Sequence, residues 1–92
     1  MYNISPYSYK SAERLELNIK PSKYKNKKID VYDRNHKYLC SIGDSRYKDY
    51  PTYYSMYGKE YAEKRRELYF IRHKKYMNIF GTKSFYASRI LW

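Results

Sequence analysis

Two runs of cations mark where this sequence could meet an anion. Lys23, Lys25, Lys27 and Lys28 surround Tyr24, and Arg72, His73, Lys74 and Lys75 follow one another farther on. Such side chains bond phosphate oxygens and displace counterions, so binding through them weakens steeply with salt. Arg65 stands seven residues before Arg72, and on a helix the two share a side with Tyr61, Leu68, Tyr69 and Tyr76. Arginines among tyrosines on an inward face have two readings. They clamp a phosphate or carboxylate in a cleft, or they stack on rings and bond carbonyls or an acid such as Asp44 or Asp49, stabilising the fold. The runs have ordinary readings too: a solvated loop for 23–28, and favourable charge at a helix C-terminus for 72–75. Placed on one face, they would form a polyanion footprint.

Fifteen of the 92 residues are tyrosine, and six of them, Tyr47, Tyr50, Tyr53, Tyr54, Tyr57 and Tyr61, crowd one segment. Exposed rings beside cations would stack on single-stranded bases. Buried rings with hydroxyls at the rim would form a small core or a protein interface. The scarcity of other large apolar residues favours the core or interface. Support for catalysis is thin. His36 and Cys40 straddle a turn, but two ligands do not make a zinc site. Gly43, Gly58 and Gly81 are isolated, so no glycine-rich phosphate loop exists. A nuclease-like set of Glu67, Tyr69, Arg72 and His73 would need neighbours along one helix to converge, which helical geometry opposes. We expect no catalytic residue, metal ligand or cofactor.

The composition sets the frame. Lys and Arg outnumber Asp and Glu by 20 to 9, a net charge of +11 that calls for nucleic acid, an anionic membrane surface or acidic protein faces. The aromatic fraction of 21% argues against a disordered tail. A single cysteine, Cys40, excludes an intramolecular disulfide and fits a reducing compartment. No apolar run approaches the ~20 residues of a membrane span, and the polar first residues do not read as a secretory signal.

These residues need elements to position them. Residues 1–12 read as an extended arm whose Tyr2, Ile4, Tyr7 and Tyr9 would anchor on a partner, with Pro6 disfavouring helix in the residue before it. Residues 13–92 read as one compact domain. Strict alternation of Leu15, Leu17 and Ile19 with Glu16, Asn18 and Lys20 predicts a strand over 13–20. Strands at 28–33 and 37–42 flank the turn Asp33-Arg34-Asn35-His36. Asp49 and Pro51 signal a helix start, with a short helix over 52–57 stopping at Gly58. A long helix is predicted over 59–76 and a last short one over 85–91, with Ile90-Leu91-Trp92 docking into the core. The fold class is therefore α+β: a small antiparallel three-stranded sheet followed by one long and two short helices.

Several spaced motifs resemble a known family. They are Tyr47-Lys48-Asp49-Tyr50-Pro51-Thr52-Tyr53, Tyr61-Ala62, Arg65-Arg66, Tyr69, Arg72-His73-Lys74, Gly81-Thr82, Phe85-Tyr86-Ala87 and Ile90-Leu91-Trp92. Over roughly residues 28–92 the chain is similar to small basic proteins encoded by nucleocytoplasmic large DNA viruses, the giant viruses. Cys40-Ser41-Ile42-Gly43 departs from the aromatic-glycine end of the corresponding strand, which puts the hairpin packing in question. The resemblance implies a viral origin, packaging in the particle and no known enzyme activity; it supplies no functional residues.

The expectation is thus a non-enzymatic minor structural, or cement, component of a virion, also found in the host cytoplasm or nucleus during infection. It would bind other, acidic virion proteins through the arm together with Arg65, Arg72 and Lys75. The alternative is a protein contacting DNA or RNA phosphates, for genome condensation, through Lys23, Lys25, Lys27, Lys28, Arg72, His73, Lys74 and Lys75.

Overall fold

The computed structural model describes residues 2–92. The chain divides into two compact units, Met1–Tyr47 and Lys48–Trp92. Its class is α+β, with a three-stranded antiparallel sheet and four helices.

The N-terminal unit holds α1 (Pro6–Arg14), β1 (Asn18–Pro21), β2 (Lys27–Tyr32) and β3 (Tyr38–Asp44), in sheet order β1-β2-β3. The expected extended arm is therefore mostly helix. Ser5 is the N-cap, its Oγ accepting the Ser8 N–H at 3.2 Å. Pro6 does hold the residue before it extended, as Ser5 at φ −75, ψ 157 shows. That geometry starts a helix, because proline loses nothing where the N–H has no helical partner anyway. The face of α1 turned inward is Ser8, Ser11 and Ala12, small residues with no hydropathy signal.

Helix α1 ends in a Schellman turn. Glu16 (φ 58) and Leu17 return N–H bonds to Glu13 and Ala12 carbonyls at 3.0 and 2.9 Å. This turn occupies residues expected to open the first strand, so β1 begins only at Asn18. The alternation of Leu15, Leu17 and Ile19 spans a turn and a strand.

Strand pairing sets Ile19 against Val31, Val31 against Cys40, and Ile29 against Ile42. These five residues are all buried and line one face of the sheet. The opposite face is polar but not all solvated, with Lys28, Asp30 and Ser41 buried there. The β2–β3 turn is closed by Asp33, whose Oδ1 accepts the N–H groups of Asn35 and Lys37, both at 2.9 Å.

The C-terminal unit is helical: α2 (Tyr50–Tyr57), α3 (Lys59–His73) and α4 (Lys83–Ile90). Asp49 caps α2, accepting the Thr52 N–H at 3.1 Å, with Pro51 in the first turn. Gly58 ends α2 and begins α3 with φ 91, a conformation that favours glycine. Helix α3 stops at His73, three residues short of expectation, and a series of turns follows. Thr82 caps α4, its Oγ1 accepting the Phe85 N–H at 3.1 Å. The Tyr50 N–H donates to the Leu91 carbonyl at 3.0 Å, tying α2 to the end of α4. Ala62, Tyr69, Tyr86, Ile90 and Leu91 are buried, so the apolar C-terminal residues dock as expected.

Candidate nucleic-acid interface

Asp30 organises the first candidate surface. Its carboxylate accepts the hydroxyls of Ser22 and Ser41, each at 2.6 Å, and the Lys23 N–H at 3.2 Å. The Ser41 hydroxyl also meets the Tyr38 hydroxyl at 2.7 Å. Burial pushes the Asp30 carboxyl up, but the two hydroxyls and the amide outweigh it and hold it below its ordinary value. A charged carboxylate therefore sits under the β1–β2 loop and fixes its shape. Asn26, at φ 66, completes the turn, and the Lys27 N–H reaches the Tyr24 carbonyl at 3.3 Å.

The loop presents Lys23, Lys25 and Lys27 to solvent. Lys28 is a correction. It is buried, with its Nζ 5.4 Å from the centre of the Tyr2 ring, and cannot join a polyanion surface. Beside the loop runs a short row of rings. Tyr24 lies 6.0 Å from Tyr38, and Tyr38 lies 5.8 Å from Tyr32. Lys23 Nζ stands 5.5 Å from the Tyr24 ring, and Lys20 Nζ stands 5.6 Å from the Tyr32 ring.

The four arm residues differ in exposure. Tyr2, Ile4 and Tyr7 are half-buried, and only Tyr9 is well exposed. Tyr7 and Tyr9 belong to α1.

The second surface lies in the C-terminal unit. Tyr57 and Tyr61 are 4.8 Å apart, Tyr61 and Tyr53 5.6 Å, and Tyr53 and Trp92 6.1 Å. Trp92 stacks on Tyr69 at 4.4 Å and 11°, and Tyr69 stacks on His73 at 4.1 Å. One end of this row is buried at Tyr69; the other is open at Tyr57 and Tyr61. The crowded tyrosines of 47–61 are thus mainly a surface. Tyr50 is the buried one, and Tyr47, Tyr54, Tyr57 and Tyr61 are exposed.

Arg65 lies half-buried with its guanidinium carbon 5.3 Å from the Tyr53 ring centre, while Arg72 is exposed. Neither is the inward arginine. That role falls to Arg66, 3.7 Å above the Tyr50 ring and 3.6 Å from Glu63. Tyr50 donates its hydroxyl to Glu63 at 2.6 Å, and this bond, with Arg66 and Lys59, holds Glu63 below its ordinary value against the opposing effect of burial. Asp44 and Asp49 are engaged elsewhere, Asp44 with Arg46 at 2.7 Å and Asp49 as the α2 cap.

His73 is a second correction. Burial and then the nearby Arg72 charge lower its pKa, so at neutral pH it is an uncharged member of the ring stack. Lys74 and Lys75 remain exposed cations, Lys75 Nζ standing 5.3 Å from the Tyr76 ring. Sequence reasoning also missed Arg89. It lies 3.8 Å over Phe85, bonds the Met77 carbonyl at 2.7 Å and reaches Asn78 at 3.2 Å, pinning the turn before α4. Its isolated position gave no signal, because the partners are brought to it by the turn.

The members of the nuclease-like set lie on different parts of α3. Tyr69 and His73 are locked in the stack, and Glu67 lies on the other flank of α3. That flank carries an open groove of about 720 Å³ whose lining includes Glu60, Glu63, Glu67, Phe70, Ile71 and Lys74. Lys64 and Arg66 line it too, so with Lys74 three cations balance the three glutamates and the groove has no excess positive charge for a phosphate. Among the described residues no three His, Cys, Asp or Glu side chains gather as a metal group. Among the same residues, no helix is long and apolar enough to cross a membrane. No family model matches the chain, and neither does any curated protein or solved structure.

Proposed function

We propose that the chain is a non-enzymatic nucleic-acid-binding protein that holds phosphates with exposed lysines and arginines. One observation carries the reading: cations of the two surfaces stand over tyrosine rings. Lys20, Lys23, Arg65 and Lys75 each lie over a ring. Ion pairs of Arg34, Arg46 and Arg66 lie outside both runs. Both units share the excess, with ten cations against five acids in Met1–Tyr47 and ten against four in Lys48–Trp92. Neither unit is an electrostatic bystander. A phosphate chain supplies the counter-charge, and release of its own counterions drives the association.

The test is a titration against duplex DNA over a range of salt. Sub-micromolar binding at physiological salt is expected, falling steeply as salt rises. Lys74→Glu/Lys75→Glu and Lys23→Glu/Lys25→Glu should each weaken binding and flatten the salt slope, by about one for each phosphate that is no longer neutralised. Weak binding that neither variant changes would sink the reading.

A second reading, as a structural component of a virion that joins acidic proteins, follows from the family resemblance. The exposed apolar side chains Leu68, Ile71, Ile79 and Phe80 favour it as surface that a protein partner could cover. The half-buried arm residues no longer support it.

A further inference from the structure

We infer that the C-terminal unit binds single-stranded nucleic acid by stacking bases on Tyr57 and Tyr61, with Arg65 and Arg72 on the adjoining phosphates. This rests on the phosphate-binding reading and narrows it to one strand form and one surface.

Tyr57 is 53% exposed and Tyr61 45%, although each packs against other rings. Their free faces can take another flat apolar group. Tyr53, Trp92 and Tyr69 back them in a continuous row that ends in the core, so the exposed pair is held in place. A rigid ring loses little freedom when a base settles on it.

Charge around the rings selects the guest. Along α3, Tyr61, Arg65, Leu68 and Arg72 follow one another at spacings of four, three and four residues and form a single stripe. The two arginines are about 10.5 Å apart along the axis. The glutamates of α3, Glu60, Glu63 and Glu67, centre about 140° around the helix from that stripe. They line the separate groove. Acidic side chains are thus segregated from the rings, and cations are interleaved with them. Apolar faces beside positive charge match a polymer whose apolar rings alternate with phosphates.

Strand form follows from the same geometry. Bases in a duplex are already stacked on one another, and taking one out is costly. Bases of a single strand are free to settle on a protein ring, and every base has such a face, so the stacking tolerates any sequence. Leu68, half exposed between the arginines, adds apolar surface for a third base or sugar.

The experiment measures anisotropy of labelled dT20, of rU20 and of a 20-base-pair duplex at two salt concentrations. The whole chain is used. Tyr57→Ala/Tyr61→Ala is compared with Tyr57→Phe/Tyr61→Phe, and circular dichroism checks the fold of each. The alanine pair should lose on the order of tenfold to a hundredfold in affinity for either single strand, while the phenylalanine pair keeps it. Duplex affinity should stay within about twofold, because no ring stacks there. Binding should also quench the fluorescence of Trp92, which lies in the same row. Equal losses for duplex and single strand, or no loss, would overturn the stacking and leave phosphate binding standing. Wild-type protein that binds no strand form, or that binds poly-L-glutamate as tightly as dT20, would overturn both.

Discussion

Both units set tyrosine rings beside cations, but they do so by different means. In the N-terminal unit Tyr24, Tyr38 and Tyr32 are placed by sheet register and by one buried carboxylate, Asp30, beneath the loop. The row is short and has a lysine at each end. In the C-terminal unit the rings come from α2 and α3 together with Trp92, and helical spacing sets the distances. That row runs from the surface to the core and is served by arginine. Burial and the other bonds a cation makes sort the roles, since buried Lys28 stands 5.4 Å from its ring and ion-paired Arg46 6.0 Å. Arg66 and Arg89 lie 3.7 and 3.8 Å from their rings and bond protein groups as well, so they are structural. Lys20, Lys23, Arg65 and Lys75 lie 5.3–5.6 Å away, and their charge is available to an incoming anion. Proximity to a ring alone therefore does not mark a binding cation.

The contrast between the two rows breaks most forcefully at Tyr69. If the C-terminal row is anchored through the core, Tyr69→Ala takes the ring from between Trp92 and His73 and leaves a cavity. It should cost about 3–4 kcal/mol in urea unfolding. A loss below about 1 kcal/mol would mean that Trp92 and the exposed tyrosines are held by something else. Asp30→Ala tests the other row. It strips the partner from two hydroxyls and an amide, and should cost about 2 kcal/mol. The change also raises the net charge by one. A fall in duplex affinity despite that added charge would show that loop shape matters beyond charge. A rise would show the reverse.

The smallest effect is pH-dependent. The pKa of His73 is lowered in the folded chain, so the unfolded chain takes the proton first as pH falls. Its contribution is fully present above the ordinary histidine value of about 6.5 and is lost as pH drops through the lower folded value. Unfolding stability should therefore decline as pH falls through the ordinary histidine value of about 6.5 and toward the lower folded one. His73→Phe, which keeps a ring in the stack, should make that decline shallower. An unchanged decline would place its origin in another group.

Legibility followed the range of the interaction. The α2 start was readable because Asp49 and Pro51 act on backbone groups within three residues of the cap. The β2–β3 hairpin was readable for the same reason at Asp33. Helix α1 was missed although Ser5 and Pro6 carry a start signal. Its inward face is serine and alanine, and polar tyrosine-rich composition suggested an arm. The candidate surfaces were half legible. Lys23, Lys25, Lys27, Lys74 and Lys75 were read as exposed cations and are so. Lys28 and His73 sit in the same runs yet turn inward, because the residue before or after a cation does not say which side of a strand or helix faces a core.

The sequence by itself determined the charge, the supply of tyrosine, the caps and turns, and an α+β class. These depend on composition or on hydrogen bonds between near neighbours. Only the tertiary structure decided which rings are buried, which arginines are spent on the fold, and which rings are left outside. Those outcomes depend on what a distant segment covers. Tyr50, Leu91 and Trp92 meet only when α2, α3 and α4 have packed, and their packing leaves Tyr57 and Tyr61 outside.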